Sequence, residues 1–243
     1  MQYKTIIISD VHLGTKDSRH QRVLDFLQKN KCENLILNGD IVDGRHIKIF
    51  GGRPKGHTDL IHHIIDLAKS NQTKVFYIPG NHDDFLRNLL PIKYGDINFL
   101  KDMIYHSGNK KYYICHGDRF DRIEGKLFFL GTISFLMGSF VFMINRIYNR
   151  RREKRGLKYF SLVKQIKLIV KIMMTGGSKR FEKKLIKAAK QNNCEGIICG
   201  HIHKQENKML GNIHYLNSGD RVESCTALVE DFEGNWDIHY HKI

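Results

Sequence analysis

Five short apolar runs in this chain each end in a cluster of aspartate, asparagine or histidine, and this recurrence limits the possible folds sharply. Runs rich in Ile, Val, Leu and Tyr that close on Gly or Pro are typical of buried strands. Ligand crevices of open α/β sheets lie beyond the carboxyl ends of the strands, so five strands of one sheet would bring the clusters together. The clusters are Asp10-Val11-His12, Gly39-Asp40-Ile41-Val42-Asp43, Gly80-Asn81-His82-Asp83, His116-Gly117-Asp118 and Gly200-His201-Ile202-His203. The pattern predicts a metal-dependent active site.

Helical stretches alternate with these runs up to residue 118, which indicates an α/β fold with a largely parallel sheet. Arg19–Lys29 and Leu60–Lys69 carry apolar residues at helical spacing. Residues 119–190 break the rhythm. Strands resume in 191–243, with short strands and hairpins predicted at Ile213–Leu216, Thr226–Glu230 and Trp236–Tyr240. We therefore predict a core made of residues 1–119 and 191–243, with an insertion at 120–190.

The composition is ordinary for a soluble globular protein. The chain has 243 residues, of which 41% are hydrophobic and 27% charged, enough for one large domain with a sizeable core. Its five cysteines are scattered, odd in number and without a CxxC pair, which favours reduced thiols in the cytoplasm over a disulfide framework. The apolar stretch near the start is too short for a signal peptide, so we expect none.

Almost all of the net charge of +15 belongs to one segment. Residues 145–190 contain sixteen Lys and Arg but two acidic residues, while the rest of the chain is nearly neutral. A local basic field indicates an anionic partner, either a phosphate-bearing substrate, acidic lipid headgroups or nucleic acid. The alternative is a solvated helix face that serves only solubility.

An uncharged apolar run, Leu127–Ile144, stands directly before the Arg/Lys cluster at 150–155. Its eighteen residues are marginal for a membrane span and include small polar residues. The run also lies between His116 and His201, which must share one compartment if they bind one metal centre. We predict a helical cap over the site, suited to an anionic membrane surface or to an acyl chain with a phosphate head. The alternative is a buried helix of an enlarged core.

The candidate metal ligands are too many for one tetrahedral ion and suit two ions about 3.5–4 Å apart. Asp40 is the natural bridging carboxylate. Carboxylate and imidazole ligands without cysteine point to two divalent ions such as Mn, the first choice, or Fe, Zn or Co, rather than Mg or Ca. Such a pair would clamp a phosphoryl group and activate an attacking water. The seven candidates are Asp10, His12, Asp40, Asn81, His116, His201 and His203.

His82 is the strongest candidate for a direct catalytic role, together with its neighbours Asn81 and Asp83. It is placed to orient phosphate or to protonate the leaving oxygen, with Asp83 holding its tautomer. The alternative is a structural histidine. Asp43 and Asp118 are interpreted as acids that orient ligands. The histidines without strand-end context are interpreted as surface or packing residues: His57, His62, His63, His106, His214, His239 and His241.

These five clusters, in this order, resemble the signature of the calcineurin-like metallophosphoesterases across residues 10–203. The resemblance implies a four-layer αββα sandwich with two metals between its sheets. It assigns one metal to Asp10, His12, Asp40 and His203, and the other to Asp40, Asn81, His116 and His201. It also implies that His82 contacts the phosphoryl group.

A narrower similarity extends to bacterial UDP-2,3-diacylglucosamine diphosphatase-like proteins, through the same blocks and Asn217–Thr226. Those enzymes cleave the pyrophosphate of a UDP-linked acylated sugar in lipid A synthesis, and an inserted helical cap binds the acyl chains. Residues 120–190 stand where that cap would be, and Lys164, Lys167 and Lys171 share a helical face as candidate substrate contacts. The chain departs from the best-known branch at His82, where that branch has Arg, and at Gly44-Arg45-His46.

The sequence thus predicts a cytoplasmic two-metal phosphohydrolase that acts on a lipid-bearing nucleotide sugar and docks peripherally on the inner membrane face. One rival is a nuclease or other phosphodiesterase on the same scaffold, for which stacking aromatics among basic residues would be expected. The other rival is a metal-binding scaffold without catalysis, which degraded ligands would favour. The oligomeric state is left open.

Overall fold

The computed structural model describes residues 1–51, 56–70, 72–121, 147–152, 154–156, 180–222 and 224–240. The first part alternates strands and helices: β1 (Gln2–Ile8), α1 (His20–Lys29), β2 (Lys31–Asn38), α2 (Gly44–Phe50), α3 (His57–Lys69) and β3 (Lys74–Ile78). A 3₁₀ helix (Asp84–Leu89) precedes β4 (Ile92–Tyr94), β5 (Ile97–Phe99), β6 (Met103–Ser107) and β7 (Lys110–Ile114), and a second one spans Asp118–Phe120. Helical stretches at 147–152 and 180–191 precede β8 (Gly196–Cys199), β9 (Glu206–Leu210), β10 (Ile213–Asn217), β11 (Thr226–Glu230) and β12 (Trp236–Tyr240).

Within the described residues the strands form two sheets, as the sandwich implied by the family resemblance requires, and not the single sheet assumed from the apolar runs alone. The larger sheet has the order β12-β11-β1-β2-β3-β5-β4, and its β1, β2, β3 and β5 run parallel. The smaller has the order β6-β7-β8-β10-β9, with β7, β8 and β10 parallel. Three of the ligand-bearing strands belong to the first sheet and two to the second. An apolar run indicates a buried strand but not the strand that it pairs with. The runs alone therefore cannot predict which strands belong to which sheet.

The two sheets face each other through one apolar layer, and helices cover the other face of the larger sheet. Ile7, Ile36 and Ile78 of the larger sheet share a buried cluster with Ile114 and Ile198 of the smaller one. The neighbouring residues on the same strands point the other way because side chains alternate across a strand. They form a second cluster with the buried faces of α1 and α3, which includes Ile6, Ile8, Leu35, Leu37, Phe26, Leu27, Leu60 and Ile64.

Both helices predicted in the N-terminal part are confirmed, and their buried residues recur at helical spacing. In α1 these residues are Val23, Leu24, Phe26 and Leu27, and in α3 they are His57, Leu60, Ile64 and Ala68. Helix α3 begins three residues before the predicted Leu60, after Gly56 at φ 88°. The α/β sandwich predicted for the chain is therefore the fold that the structure shows.

The chain divides into two compact units, Met1–Asp118 with Leu185–Ile243, and Arg119–Lys184. The predicted helical cap stays a prediction, because 122–146 and 157–179 lie outside the described residues. That includes the apolar run Leu127–Ile144 and the candidate contacts Lys164, Lys167 and Lys171. In the part of the chain that is described, no helix has the length and apolarity needed to cross a membrane. All five cysteines are buried and free.

Candidate metal centre

The candidate ligands sit on strained backbone at the strand ends. Five of them have positive φ angles between 51° and 71°, a region that residues other than glycine rarely adopt. Such conformations cost of order 1–3 kcal/mol each and cluster at functional sites. They turn the chain sharply just past each strand, so the side chains point into the crevice. The five are Asp10, His12, Asp40, His201 and His203.

A first group of candidate ligands joins the ends of β1 and β8. One ligand atom each from Asp10, His12 and His203 lies within 4.8 Å of the others. Asp10 Oδ1 is 3.2 Å from His203 Nε2, and the rings of His12 and His203 are 5.5 Å apart. Asp10 Oδ2 accepts a hydrogen bond of 3.1 Å from the His201 N–H, which ties this group to the loop of the second group.

A second group consists of Asp40, His116 and His201, again with one ligand atom each within 4.8 Å of the others. All three residues are buried, and Asp40 Oδ2 is 3.2 Å from His116 Nε2. Burial works to raise the pKa of Asp40, but His116 and a hydrogen bond of 2.7 Å from the His82 N–H hold that pKa well below its usual value. The structure thus brings six of the seven predicted ligands into two adjacent groups.

Hydrogen bonds fix the tautomers of two of these histidines. His116 Nδ1 is 2.8 Å from the carbonyl oxygen of Asn38, which can only accept, so Nδ1 carries the proton. His12 Nδ1 is 3.2 Å from Asp43 Oδ2 and is protonated for the same reason. In the neutral form of each ring, Nε2 therefore keeps its lone pair, which points into the site. This is the usual arrangement of a metal-binding imidazole.

The buried acceptors at the centre fit divalent cations. Among the described residues, Asp10 Oδ1, His12 Nε2, Asn81 Oδ1 and His116 Nε2 are buried atoms without a hydrogen-bond donor. Buried polar atoms are normally partnered, and a cation satisfies several acceptors at once. Burial lowers the pKa of His116, yet the carboxylate of Asp40 raises it well above the ordinary value, because the carboxylates around this ring make the point strongly negative. Mixed carboxylate, amide and imidazole donors suit a transition metal.

His82 contacts a different carboxylate from the one expected. Its Nδ1 lies 2.9 Å from Asp43 Oδ2, and its ring meets that of His12 edge-on at 4.7 Å. Burial acts to lower the pKa of His82, but the nearby carboxylates, Asp43 foremost, outweigh it, so the pKa lies above its ordinary value. A protonated His82 has an Nε2–H to offer to a phosphoryl or leaving oxygen.

Asp83 hydrogen-bonds to backbone amides and to a tyrosine. The prediction that it holds the tautomer of His82 is therefore wrong, since Asp43 occupies that place. Its carboxylate accepts from the Ile41 N–H at 3.0 Å, the Tyr77 hydroxyl at 2.5 Å and the Gly80 N–H. Burial and the nearby Asp40 raise the pKa of this fully buried group. Asp83 therefore joins the loop after β2 to the loop after β3.

Comparison with known families decides the affiliation. The profile of the calcineurin-like phosphoesterases matches residues 3–205, which include all seven candidate ligands. The chain belongs to the calcineurin-like phosphoesterase family. Members typically bind two divalent metal ions, in agreement with two adjacent groups of carboxylate and imidazole ligands in this phosphoesterase. A search of curated proteins gave no match.

Solved structures of similar fold include a novel archaeal phosphodiesterase (13% identity, 98% of this chain and 99% of the other, TM-score 0.46). Two others are the phosphoesterase YfcE of E. coli (12% identity, 98% and 99% covered, TM-score 0.46) and Vps29 of Chaetomium thermophilum (7%, 98% and 96%, TM-score 0.47). At this distance the likeness carries no inference about what the present phosphoesterase acts on.

Two residues that support the site were missed by the sequence interpretation. His57 is buried, and its Nδ1 accepts a hydrogen bond of 2.9 Å from the Gly14 N–H in the loop of the first group. Asn38 donates to the carbonyl of Cys115 at 3.2 Å, next to the bond from His116. A histidine at the start of a helix gives no signal of such a contact. For Asn38, its place directly before Gly39-Asp40 was the available hint.

Asp118, predicted to orient a ligand, pairs with a cation. Its Oδ1 lies 2.9 Å from Arg87 Nη2, which also donates to the carbonyl of Pro79 at 3.0 Å. Because Pro79 directly precedes Gly80 and Asn81, this pair positions the loop after β3. The contact links the fourth cluster to the third without a direct bond to an imidazole.

Proposed function

We propose that this phosphoesterase is a two-metal hydrolase that cleaves the pyrophosphate of a UDP-linked acylated sugar. The substrate proposed is UDP-2,3-diacylglucosamine, an intermediate of lipid A synthesis, and the products are UMP and the acylated sugar 1-phosphate. The observation that carries the chemistry is the pair of adjacent ligand groups with unpartnered buried acceptors. The family affiliation supports phosphoester hydrolysis, while the sequence similarity to diphosphatase-like proteins supports the anhydride substrate.

The proposed ligand sets are Asp10, His12, Asp40 and His203 for one ion, and Asp40, Asn81, His116 and His201 for the other. Asp40 is the proposed bridge, and Mn²⁺ is the proposed native metal. When bound, such ions polarise a phosphoryl group and lower the pKa of an attacking water. The chain contributes the strained loops that aim the ligands, most of which are buried.

His82 is proposed to bind the phosphoryl group and to donate a proton to the leaving oxygen. Its side chain is 27% exposed, more than the buried ligands around it, so it lies at the open edge of the site. Asp43 contacts both His82 and His12, and it keeps the His82 ring charged and oriented. The proposed mechanism thus uses Asp43 for positioning and His82 for proton transfer.

The substrate contacts of the insertion and the location of the enzyme complete the proposal. Residues 120–190 are proposed to form a helical cap, with Lys164, Lys167 and Lys171 toward the phosphates. The basic segment 145–190 is proposed to draw the cytoplasmic enzyme to the anionic inner membrane face.

The test is Mn²⁺-dependent release of UMP from UDP-2,3-diacylglucosamine, with bis-p-nitrophenyl phosphate as a second substrate. Asp40→Ala should abolish both activities, and Asp66→Asn, a change of an exposed aspartate on α3, should leave both intact. Turnover of the generic diester without UMP release would refute the lipid A substrate and keep the hydrolase. Salt-sensitive cleavage of DNA would favour the nuclease. Failure on every substrate despite bound Mn²⁺ would favour a scaffold.

A further inference from the structure

A large apolar cavity lies beside the metal centre, in the unit formed by Met1–Asp118 and Leu185–Ile243. Its volume is about 520 Å³, within the range of ligand pockets in proteins. Helix α3 contributes one wall through Ile61, Ile64 and Ile65. Strands β4 and β5, with the turn between them, and the 3₁₀ helix Asp84–Leu89 contribute the opposite side. The cavity therefore continues the apolar layer beneath α1 and α3 out to the surface.

The lining of the cavity selects the chemistry of a ligand. Among the described residues that line it, Lys69 and Asp96 are the charged ones, and both are exposed. The hydroxyl of Tyr77 already donates to Asp83. The interior thus offers little that could recognise the hydroxyls of a sugar or the edge of a base. Its surface suits a hydrocarbon chain, which needs no hydrogen bonds.

The cavity shares its walls with the loops that carry the metal ligands. Ile41 and Val42 line it, and they stand directly between Asp40 and Asp43. Phe85 lines it as well, and its ring packs so closely on Gly44 that a Cβ there would lie 2.6 Å from Phe85 Cε1. A chain in the cavity would therefore pack against the same two loops that hold Asp40 and His82.

The mouth of the cavity exposes apolar side chains to water. Ile61 is 38% exposed, Phe85 55% and Tyr94 75%. A group of exposed apolar residues around a cleft is typical of a binding site. Covering these residues with a hydrocarbon chain would remove their surface from water, which is favourable in proportion to the area buried.

We propose that this cavity binds one alkyl chain of the substrate while the phosphoryl group occupies the metal centre. The inference rests on the proposed phosphohydrolase function and places one substrate chain in the core unit, beside the loops after β2 and β3. It makes the enzyme selective for amphipathic phosphoesters through residues of α3 and of the 3₁₀ helix. Each buried methylene contributes roughly fourfold in affinity, so even a few buried methylenes give strong selection.

The binding test is a fluorescence titration of the whole chain with cis-parinaric acid, a fatty acid that becomes bright in apolar surroundings. Ile65→Trp would fill the cavity, and His62→Trp places the same side chain at an exposed position of α3 that does not line the cavity. We expect Ile65→Trp to weaken binding by at least about tenfold, the equivalent of roughly two methylenes, and His62→Trp to leave it unchanged. Ile61→Glu, at the partly exposed mouth, should weaken binding without disturbing the fold.

A kinetic test separates the cavity from the metal centre. We expect kcat/KM for p-nitrophenyl dodecyl phosphate to exceed that for the methyl ester by at least about tenfold, and Ile65→Trp to remove this preference. Turnover of bis-p-nitrophenyl phosphate should persist in the variant. The inference would be overturned if parinaric acid did not bind, or if both tryptophan variants weakened its binding equally. It would also be overturned if sedimentation showed a dimer in which a second copy covers this face. If parinaric acid bound but no ester were hydrolysed, the proposed function would be refuted, and the alkyl chain in the cavity would not belong to a substrate.

Discussion

Asp43 is not a predicted metal ligand, yet it contacts two of the histidines that form the site. Its Oδ2 is 3.2 Å from His12 Nδ1 and 2.9 Å from His82 Nδ1, while Oδ1 accepts from the His46 N–H at 2.7 Å. Burial acts to raise the pKa of Asp43, but the two imidazoles hold it well below the ordinary aspartate value. One carboxylate thus orients a candidate metal ligand and the candidate proton donor together.

Asp43→Asn should lower Mn²⁺ affinity and turnover of bis-p-nitrophenyl phosphate by about 10–100-fold, the usual effect of losing a group that orients a ligand. The amide cannot accept from both imidazoles with the strength of a carboxylate. Metal titration by calorimetry and steady-state kinetics would measure the two effects. Asp84→Asn is the matched control, because Asp84 forms an exposed pair with Arg45. Equal behaviour of the two variants would contradict this role of Asp43.

His57 makes the stability of the first ligand loop depend on pH. Burial and the neighbouring His20 lower the pKa of His57 below its usual value of 6.5. The folded state therefore binds fewer protons than the unfolded state between the lowered pKa and 6.5, so the free energy of unfolding falls as the pH drops through that interval. A second proton would also replace the lone pair that accepts the Gly14 N–H.

His57→Gln should lose less stability than the wild type on acidification from about pH 7.5 to pH 5.5, because glutamine does not titrate. Urea denaturation of metal-free protein at the two pH values would measure this. The metal ligands titrate in both proteins, so the difference between them isolates His57. An identical pH dependence would show that the contact with Gly14 has no such effect.

The positions of the strand ends could be predicted from the sequence, whereas the faces that the strands present to each other could not. The ends of β1, β2, β3, β7 and β8 were predictable, because apolar residues stop where small and polar residues begin. The faces of the strands were not predictable. Ile6, Ile7 and Ile8 are all buried, with Ile7 in the layer between the sheets and its two neighbours beneath the helices. A strand buried on both faces shows no alternation, so its sequence does not indicate which side meets the other sheet.

The missing side chain of Gly80 allows two ligand loops to pack closely together. A Cβ on Gly80 would overlap Asp40 Oδ1 and come within 2.7 Å of the Asp40 nitrogen. The loop after β3 can therefore pass the loop after β2 only because this position lacks a side chain. The clusters after β2 and β3 form a single packed unit for this reason, in addition to the bonds that Asp83 makes.

Gly80→Ala should displace Asp40 and reduce hydrolysis of bis-p-nitrophenyl phosphate by at least about tenfold, with an unfolding cost of roughly 1–3 kcal/mol from overpacking. Gly211→Ala is the control. It lies in the turn between β9 and β10 at φ 63° with open space around it, and it should cost about 1 kcal/mol without loss of turnover. Activity and urea midpoints of both variants would test this. A fully active Gly80→Ala enzyme would show that the loop can move aside.

Each ligand group draws on both sheets of the whole molecule. His12 follows β1 of the larger sheet and His203 follows β8 of the smaller, and the second group likewise joins Asp40 to His116 and His201. Metal ions bound here would connect the two sheets at their carboxyl edge. The sequence predicted these residue sets through a family resemblance, while the support from His57 depends on a contact that spans 43 positions and no local pattern reveals it.

Removal of metal should lower the melting temperature. A ligand at 100 times its Kd stabilises the folded state by about 2.7 kcal/mol, which for a chain of this size corresponds to about 5–10 °C. Thermal unfolding after treatment with EDTA, and again after addition of Mn²⁺, would measure the shift. Asp40→Ala should show a much smaller response to Mn²⁺. Equal melting temperatures with and without metal would contradict a bound ion that spans the sheets.

The wide separation of the ligands along the chain also sets a schedule for biosynthesis. Asp10 and His203 belong to one group, although almost the whole sequence lies between them. A ribosome that adds 5–20 residues per second makes Asp10 roughly 10–40 s before His203. During that time the early ligands have no complete coordination partner, so the nascent chain cannot capture a metal ion tightly. Tight metal binding must therefore wait until His203 has been made, and the site then takes whichever ions the cell supplies.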